Sequence, residues 1–430
     1  MASLPPPPLP CINDVLPHHI LVQVFARLPY RTAFRSRSVC KLWLSYMHDD
    51  PWFVKRFIHH RIKNRSSNRE DQQQQVVGHV RCNLRVMLLV VTRPCGIIPH
   101  APRFSLDFLP CLAGWKGTSH PSSRRLIVGS SNGLLLCTLN HEEYYICNPL
   151  TKQWLALPAP HRRHNYVQVG FICDPFYHVQ YDGEDGSVTL NDRFGVKVVR
   201  LPFFLGNEEG SPIEMEVEIF SSQTGCWTTS TVMLPKRLRF DEYNPQIAIP
   251  HGGRLYWFVE PCDILVYDPS KNEFLLESHE LPSLAMRSFS YWNRQLVEFK
   301  GFSLCQGSFW VGQTEKWLLR VFNLRNGEWF LTHDVHILHD MYCSSSLARQ
   351  SVQRSYAGIE FRSMHPVDPN VAYLSVDGEI LECDFRNRTI KVEAEIENYG
   401  QDSLQLVYWF NVLTFPLPLW PTPLPRLPAT

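Results

Sequence analysis

One element recurs five times behind residue 140, and it commits most of the chain to antiparallel hairpins. An apolar strand runs into a turn carrying Asn or Asp, and an aromatic or apolar residue opens the returning strand. The element runs from Tyr144 through Asn148-Pro149 to Trp154, from Ile264 through Asp268-Pro269 to Phe274, and from Arg320 through Asn323 to Trp329. Weaker copies run from Ile219 to Trp227 and from Leu381 through Asp384 to Ile390. Asn or Asp holds such a turn with its own side chain, Pro presets φ, and Gly or Asn accepts a positive φ. The residue that closes the turn can pack between sheets, so Trp154, Trp227, Phe274 and Trp329 are expected to be structural wedges. Earlier strands in several units start after Gly, at Gly133, Gly253 and Gly307, and Glu214–Ile219 alternates polar and apolar as a half-buried strand does.

The closing residues at 154, 227, 274, 329 and 390 are 73, 47, 55 and 61 residues apart. Periods of roughly 40–50 residues with insertions point to a β-propeller. A two-sheet β-sandwich uses the same hairpins and is the competing architecture. The widest interval leaves room for a further unit or a long loop at 175–212.

The N-terminal part has a different period. Asp14-Val15-Leu16-Pro17 is a helix start, since a proline in the first turn lacks only an N–H that has no partner there. Ile20, Leu21, Val24, Phe25 and Leu28 then form one stripe of an amphipathic helix, which Pro29 ends. The same offsets recur at Val39, Cys40, Trp43, Leu44 and Met47, and Asp49-Asp50-Pro51 starts a third helix carrying Trp52, Phe53, Phe57 and Ile58. Three short helices over residues 12–58 carry more large apolar side chains than they can hide. Surplus of this kind points to a partner or a neighbouring domain.

These residues resemble the F-box. Leu16-Pro17, Leu28-Pro29, Arg35, Arg37, Val39, Cys40, Lys41, Trp43, Asp50-Pro51 and Phe53 follow its order without a gap. The resemblance implies docking to a Skp1-type adaptor, and through it to a cullin. Leu16, Pro17, Ile20, Leu28, Pro29, Val39, Cys40 and Trp43 are then the adaptor-binding positions or their supporting core. His18-His19 stands where an acidic pair is frequent, and Gln23 where Glu is usual, which removes negative charge from the module. Ser130-Ser131-Asn132-Gly133-Leu134-Leu135-Leu136-Cys137 and Tyr144–Pro149 resemble plant F-box proteins with a C-terminal, F-box-associated, kelch-like domain. The expected fold is therefore a small all-α three-helix F-box followed by an all-β domain, a kelch-like propeller. The expected organisation is a Pro-rich tail at 1–11, the F-box at 12–58, a polar linker at 59–80, the β domain at 81–412 and a Pro-rich tail at 413–430.

Six Lys/Arg and no acid lie between Lys55 and Arg69, which reads as a solvated basic surface or a nuclear-import signal. The 430 residues carry a net charge of only +1, so the chain as a whole has no attraction for nucleic acid or an anionic membrane. The longest purely apolar run, Val86–Val91, is too short to span a membrane. The 13 Cys are scattered without a CxxC and read as reduced thiols, which places the protein in the cytoplasm, the nucleus or both. No P-loop, GxSxG or HExxH is present.

His333, His336, His339 and Cys343 have a spacing that metal ligands use, but a strand there would send His333 and His336 to opposite faces, and a polar loop is the preferred reading. No catalytic residue, cofactor or metal is expected. The loops His161–Asn165, Asp182–Asn191 and Asp340–Ser355 are candidate contacts for an unknown protein substrate. The resulting expectation is a non-catalytic substrate-recognition subunit of a Skp1–cullin–F-box ubiquitin ligase. The alternatives are an F-box protein that works with Skp1 outside a ligase, and a propeller-based enzyme or lectin.

Overall fold

The computed structural model describes residues 16–48, 50–66, 86–92, 96–99, 106, 108–112, 127–138, 141–164, 167–182, 185–202, 213–234, 238, 240, 247–259, 263–278, 292–298, 302–308, 318–325, 328–337, 341–343, 360–365, 368, 370–376, 379–395, 411–416 and 418–428. The chain divides into two units, residues 1–80 with 175–194, and residues 81–174 with 195–430.

Among the described residues the first unit holds four helices: α1 (His18–Arg27), α2 (Tyr30–Ser36), α3 (Lys41–His48) and α4 (Pro51–Ser66). Pro17 precedes α1, and its carbonyl accepts the Ile20 N–H at 2.9 Å. Leu28 is extended because Pro29 follows it, and the helix stops there. The chain re-enters a helix at once, so α2 is an element beyond the three expected. Asp50 Oδ1 accepts the Trp52 N–H at 2.9 Å and Pro51 fills the first turn, a standard start for α4. That helix continues to Ser66, so residues 59–66 are helical where the sequence suggested a linker. Leu21, Val22, Phe25, Ala26, Ala33, Met47, Phe53, Val54, Phe57 and Ile58 make the core. A hairpin of strands Tyr177–Asp182 and Asp185–Leu190 belongs to the same unit. It occupies the segment expected to be the loop Asp182–Asn191. Among the described residues, no helix is long and apolar enough to cross a membrane.

The described residues of the second unit form a series of sheets, of which the first five are built on antiparallel meanders in chain order. The first has strands Ile127–Ser131, Leu134–Cys137, Tyr145–Asn148 and Gln153–Ala156. The second has Val167–Cys173, Val196–Pro202, Ile213–Ser221 and Cys226–Leu234. The third runs from Ile249 to Ser278 and the fourth from Trp292 to His336, each with four strands. The fifth runs from Glu360 to Glu395, with Tyr342–Cys343 added parallel to its last strand. A sixth, three-stranded sheet joins the two ends of the unit: Val86–Thr92 pairs with Gly96–Pro99 on one side and with Asn411–Pro416 on the other. Residues 413–416, expected in a tail, are therefore strand. Beyond them, Leu419, Trp420, Pro421 and Thr422 are buried, so the Pro-rich end packs on the unit.

Each closing residue at 154, 227, 274, 329 and 390 lies at the start of the last strand of a successive sheet. Asn148 Oδ1 accepts the N–H groups of Leu150 and Thr151 at 2.9 and 3.2 Å, and Asp384 Oδ1 those of Arg386 and Asn387 at 2.9 Å. Asp268 Oδ1 accepts the Ser270 N–H at 3.0 Å. Four positions after these turn residues the backbone is left-handed, at Lys152 (φ 57°), Asn272 (φ 56°) and Arg388 (φ 53°). Gly225 (φ 72°) holds the same place after Ser221. Gly and Asn thus fill only two of these four positions.

The wedge expectation divides. Trp227 is buried, its ring 5.6 Å from Phe220 and 5.9 Å from Tyr144. Phe274 is half-buried, 4.7 Å from Tyr267. Trp154 is not a wedge: it is 43% exposed and meets Tyr145 edge-on, because the outermost strand of the first sheet points it to solvent. The Trp329 side chain lies outside the described residues. Between the second and third sheets, Val199, Leu201, Val217, Trp257, Leu265 and Tyr267 form one apolar core. Another joins Leu319, Val321, Leu374, Leu381 and Ile390 of the fourth and fifth sheets.

Candidate functional site

The helical unit leaves a band of apolar side chains in water. Val39 is 63% exposed, Leu42 41%, Leu44 40% and Trp52 69%. The cause is length. Among the described residues of α3, a helix of 8 residues, only Met47 is fully buried, and Leu42 and Leu44 are left facing water. Along α1 the buried set is Leu21, Val22, Phe25 and Ala26, so the apolar stripe is rotated from the expected one and Val24 faces water.

Of the eight positions expected to bind an adaptor, Pro17, Pro29 and Val39 are exposed and Leu16, Ile20, Leu28, Cys40 and Trp43 are half-buried. Their supports are specific. The Trp43 ring lies 4.6 Å from Phe25 in the core, and the Trp43 backbone N–H donates to Cys40 Sγ, 3.5 Å away. The Leu28 carbonyl, left open where α1 ends, accepts Arg61 Nη2 at 3.0 Å, and that guanidinium lies 4.4 Å from the Phe57 ring centroid. The Leu28-Pro29 corner is thus tied to α4 through Arg61, and the start of α3 is held on α1 through Trp43 and Phe25. Leu42, Leu44 and Trp52 were not among the expected positions, although each is a large apolar residue in a helical unit too small to bury all of them.

A second cluster lies inside the β unit. Arg200 and Glu218 are paired and wholly buried, in register on adjacent strands of the second sheet. Arg200 also donates to Tyr144 Oη at 3.2 Å and to the carbonyls of His141 and Arg162 at 3.1 and 3.3 Å. Its guanidinium lies 5.7 Å from each of the Tyr144 and Trp227 rings. Glu218 accepts the Arg162 N–H at 3.2 Å, and His164 Nε2 lies 3.9 Å from it. Burial pushes the Tyr144 hydroxyl up to about 12 and holds the His164 imidazole below its usual range. Acid, base and cation stand together here, but Arg200 and Glu218 have no approach from solvent. The arrangement suits a staple between the first and second sheets, not a reacting centre. Of the expected loop at His161–Asn165, Arg162 and His164 are part of this staple, with Arg162 also paired to Glu216, and Asn165 lies outside the described residues.

His333 and His336 lie on the strand Glu328–His336, and the His333 ring packs 4.7 Å from Phe385. His339 and most of Asp340–Ser355 lie outside the described residues.

Residues 111–411 match the family described as "F-box protein At3g26010-like, beta-propeller", and residues 14–59 match the F-box-like family. F-box protein At5g49610 of Arabidopsis thaliana is 27% identical over 59% of this chain and 61% of its own length. F-box protein At3g26010 of the same plant is 27% identical over 51% of this chain and 44% of its own. A putative F-box/kelch-repeat protein of that plant, At1g15680, is 21% identical over 96% of this chain and 95% of its own. The chain spans about half the length of the curated relatives it matches first. Among solved structures, BamB from Moraxella catarrhalis aligns at a TM-score of 0.27 and 11% identity over 76% of this chain and 92% of that one, too distant to carry an argument.

Proposed function

The chain belongs to the At3g26010-like F-box protein β-propeller family, and on that premise we propose that it is the substrate-recognition subunit of a Skp1–cullin–F-box ubiquitin ligase. The observation that carries this reading is the exposure of Val39, Leu42, Leu44 and Trp52 in the helical unit that also carries the two Leu-Pro corners. An adaptor that covered it would remove from water the apolar surface that these short helices cannot bury themselves, at about 25 cal/mol per Å². In this reading Leu16, Pro17, Ile20, Leu28, Pro29, Val39, Cys40 and Trp43 contribute the Skp1-facing surface and its support.

The β unit holds the target. We read its successive sheets as blades of a kelch-like ring, closed where Asn411–Pro416 pairs with Val86–Thr92. The protein itself makes and breaks no bond. It raises the effective concentration of the target beside the conjugating enzyme, and ubiquitin transfer follows from proximity. Such work belongs in the cytoplasm or nucleus.

The test is co-expression of the full chain with a Skp1-type adaptor and a cullin. A three-protein complex that survives size-exclusion chromatography is the expected result. Recovery of the adaptor without the cullin would favour a role outside a ligase. Failure to recover the adaptor would overturn the reading.

A further inference from the structure

The basic run that begins at Lys55 has no part in the docking described above. Between Leu16 and Ser66 the chain carries ten Lys/Arg against two Asp, a net of +8 in a protein whose total is +1. Part of that charge converges on one cavity of about 470 Å³ in the helical unit. Arg27 enters it from α1, and Lys55, Arg56, His59 and His60 enter from α4. Trp52 forms an apolar wall, and Ser187 and Val188 of the hairpin close another side. None of the described residues lining it is acidic.

We propose that this cavity binds a small anion bearing two or more phosphate groups. Charge repulsion within the site supports the assignment. Burial lowers the His60 imidazole from its usual range, and Arg27, Arg61 and His59 lower it further. A polyanion would reverse the sign of that field, and the guanidinium groups of Arg27 and Arg56 present forked donors suited to phosphate oxygens. The volume is within the range of small-ligand pockets. Concavity favours a compact ligand over an acidic peptide, which would lie along a helix face and leave the hairpin side unfilled. Free polyphosphate and the phosphates of a nucleotide share this chemistry. The Trp52 face would distinguish them, since an indole adds stacking only for the nucleotide.

The test is isothermal titration of the full chain with sodium tripolyphosphate and, separately, with ATP, at fixed ionic strength. Saturable binding is expected, weakened at least tenfold in an Arg56→Gln, His59→Gln double variant and unchanged in an Arg35→Gln control. Tighter binding of ATP than of tripolyphosphate would identify a nucleotide as the better ligand. Absence of saturable binding to either probe, equal binding by the double variant, or tighter binding of a poly-glutamate peptide would each overturn the proposal. A thermal melt of the double variant matching that of the parent shows that the loss is local and not a failure to fold.

Discussion

Arg200 and Glu218 face each other across two strands of the second sheet with neither side chain exposed to water. Each would be strongly disfavoured there alone. Removing one partner strands the other, and losses of about 3–5 kcal/mol are typical for a broken buried pair. Glu218→Gln and Arg200→Met are each expected to lower stability by about that much in urea denaturation. An Arg200→Met, Glu218→Leu double variant should lose much less than the sum of the two.

Gly170 of the second sheet lies against Trp257 and Leu255 of the third. A Cβ there would stand 2.4 Å from Trp257 Cζ2 and 2.8 Å from Leu255 Cδ1. Both side chains are buried, so neither can swing away. Gly170→Ala is expected to destabilise the β unit by about 1–3 kcal/mol, read as a lower melting temperature.

Arg388 and Lys152 hold left-handed backbone in turns whose counterparts carry Asn272 and Gly225. A residue with a Cβ is strained there by roughly 1–2 kcal/mol, against about 0.5–1 kcal/mol of extra chain entropy for Gly. Arg388→Gly should therefore raise stability by up to about 1 kcal/mol in a denaturant titration, and Lys152→Gly likewise.

His164 gives the β unit a pH dependence. Burial is the main cause that lowers its affinity for a proton, and Arg200 and Arg162 act in the same direction while Glu218 and Glu216 oppose them. The unfolded chain, with a His pKa near ~6.5, therefore takes up the proton before the folded one does. Stability from this group is complete above that pH and is lost as the pH falls through the lower folded value. The denaturation midpoint should fall between pH 7.5 and 5.5, and His164→Gln should reduce that fall. His365, lowered chiefly by its own burial, contributes in the same direction.

Local chemistry was legible and distant pairing was not. The Leu-Pro corners, the Asp50-Pro51 start of α4, and the turns at Asn148, Asp268 and Asp384 each depend on neighbours within a few residues. Their geometry follows the sequence. The strand pairing of Val86 with Pro416 depends on residues far apart in the chain, and nothing local announces it. Glu218 misled for a related reason. Its alternation with Val217 and Ile219 marks a half-buried strand, yet Arg200 on the next strand allows the carboxylate to be buried as well. Trp154 misled because an outer strand has a face with no neighbouring sheet. In the helical unit the surplus of apolar residues was legible, and so was Val39 as one of its carriers, but the rotated stripe that leaves Val24 in water was not, since the buried face of α1 depends on where α4 packs.

The central claim is that the apolar band of the helical unit is a docking surface for a Skp1-type adaptor. The most direct measurement is the affinity of the full chain for that adaptor, by titration, before and after Val39→Asp with Leu44→Asp. Both side chains face water, at 63% and 40% exposure, so the substitutions leave the core intact and the melting temperature should stay within a degree or two. Buried anchors of an interface each contribute about 2 kcal/mol or more, so the double variant should bind at least about 100-fold more weakly. A double variant that melts like the parent and binds the adaptor with undiminished affinity would contradict the account.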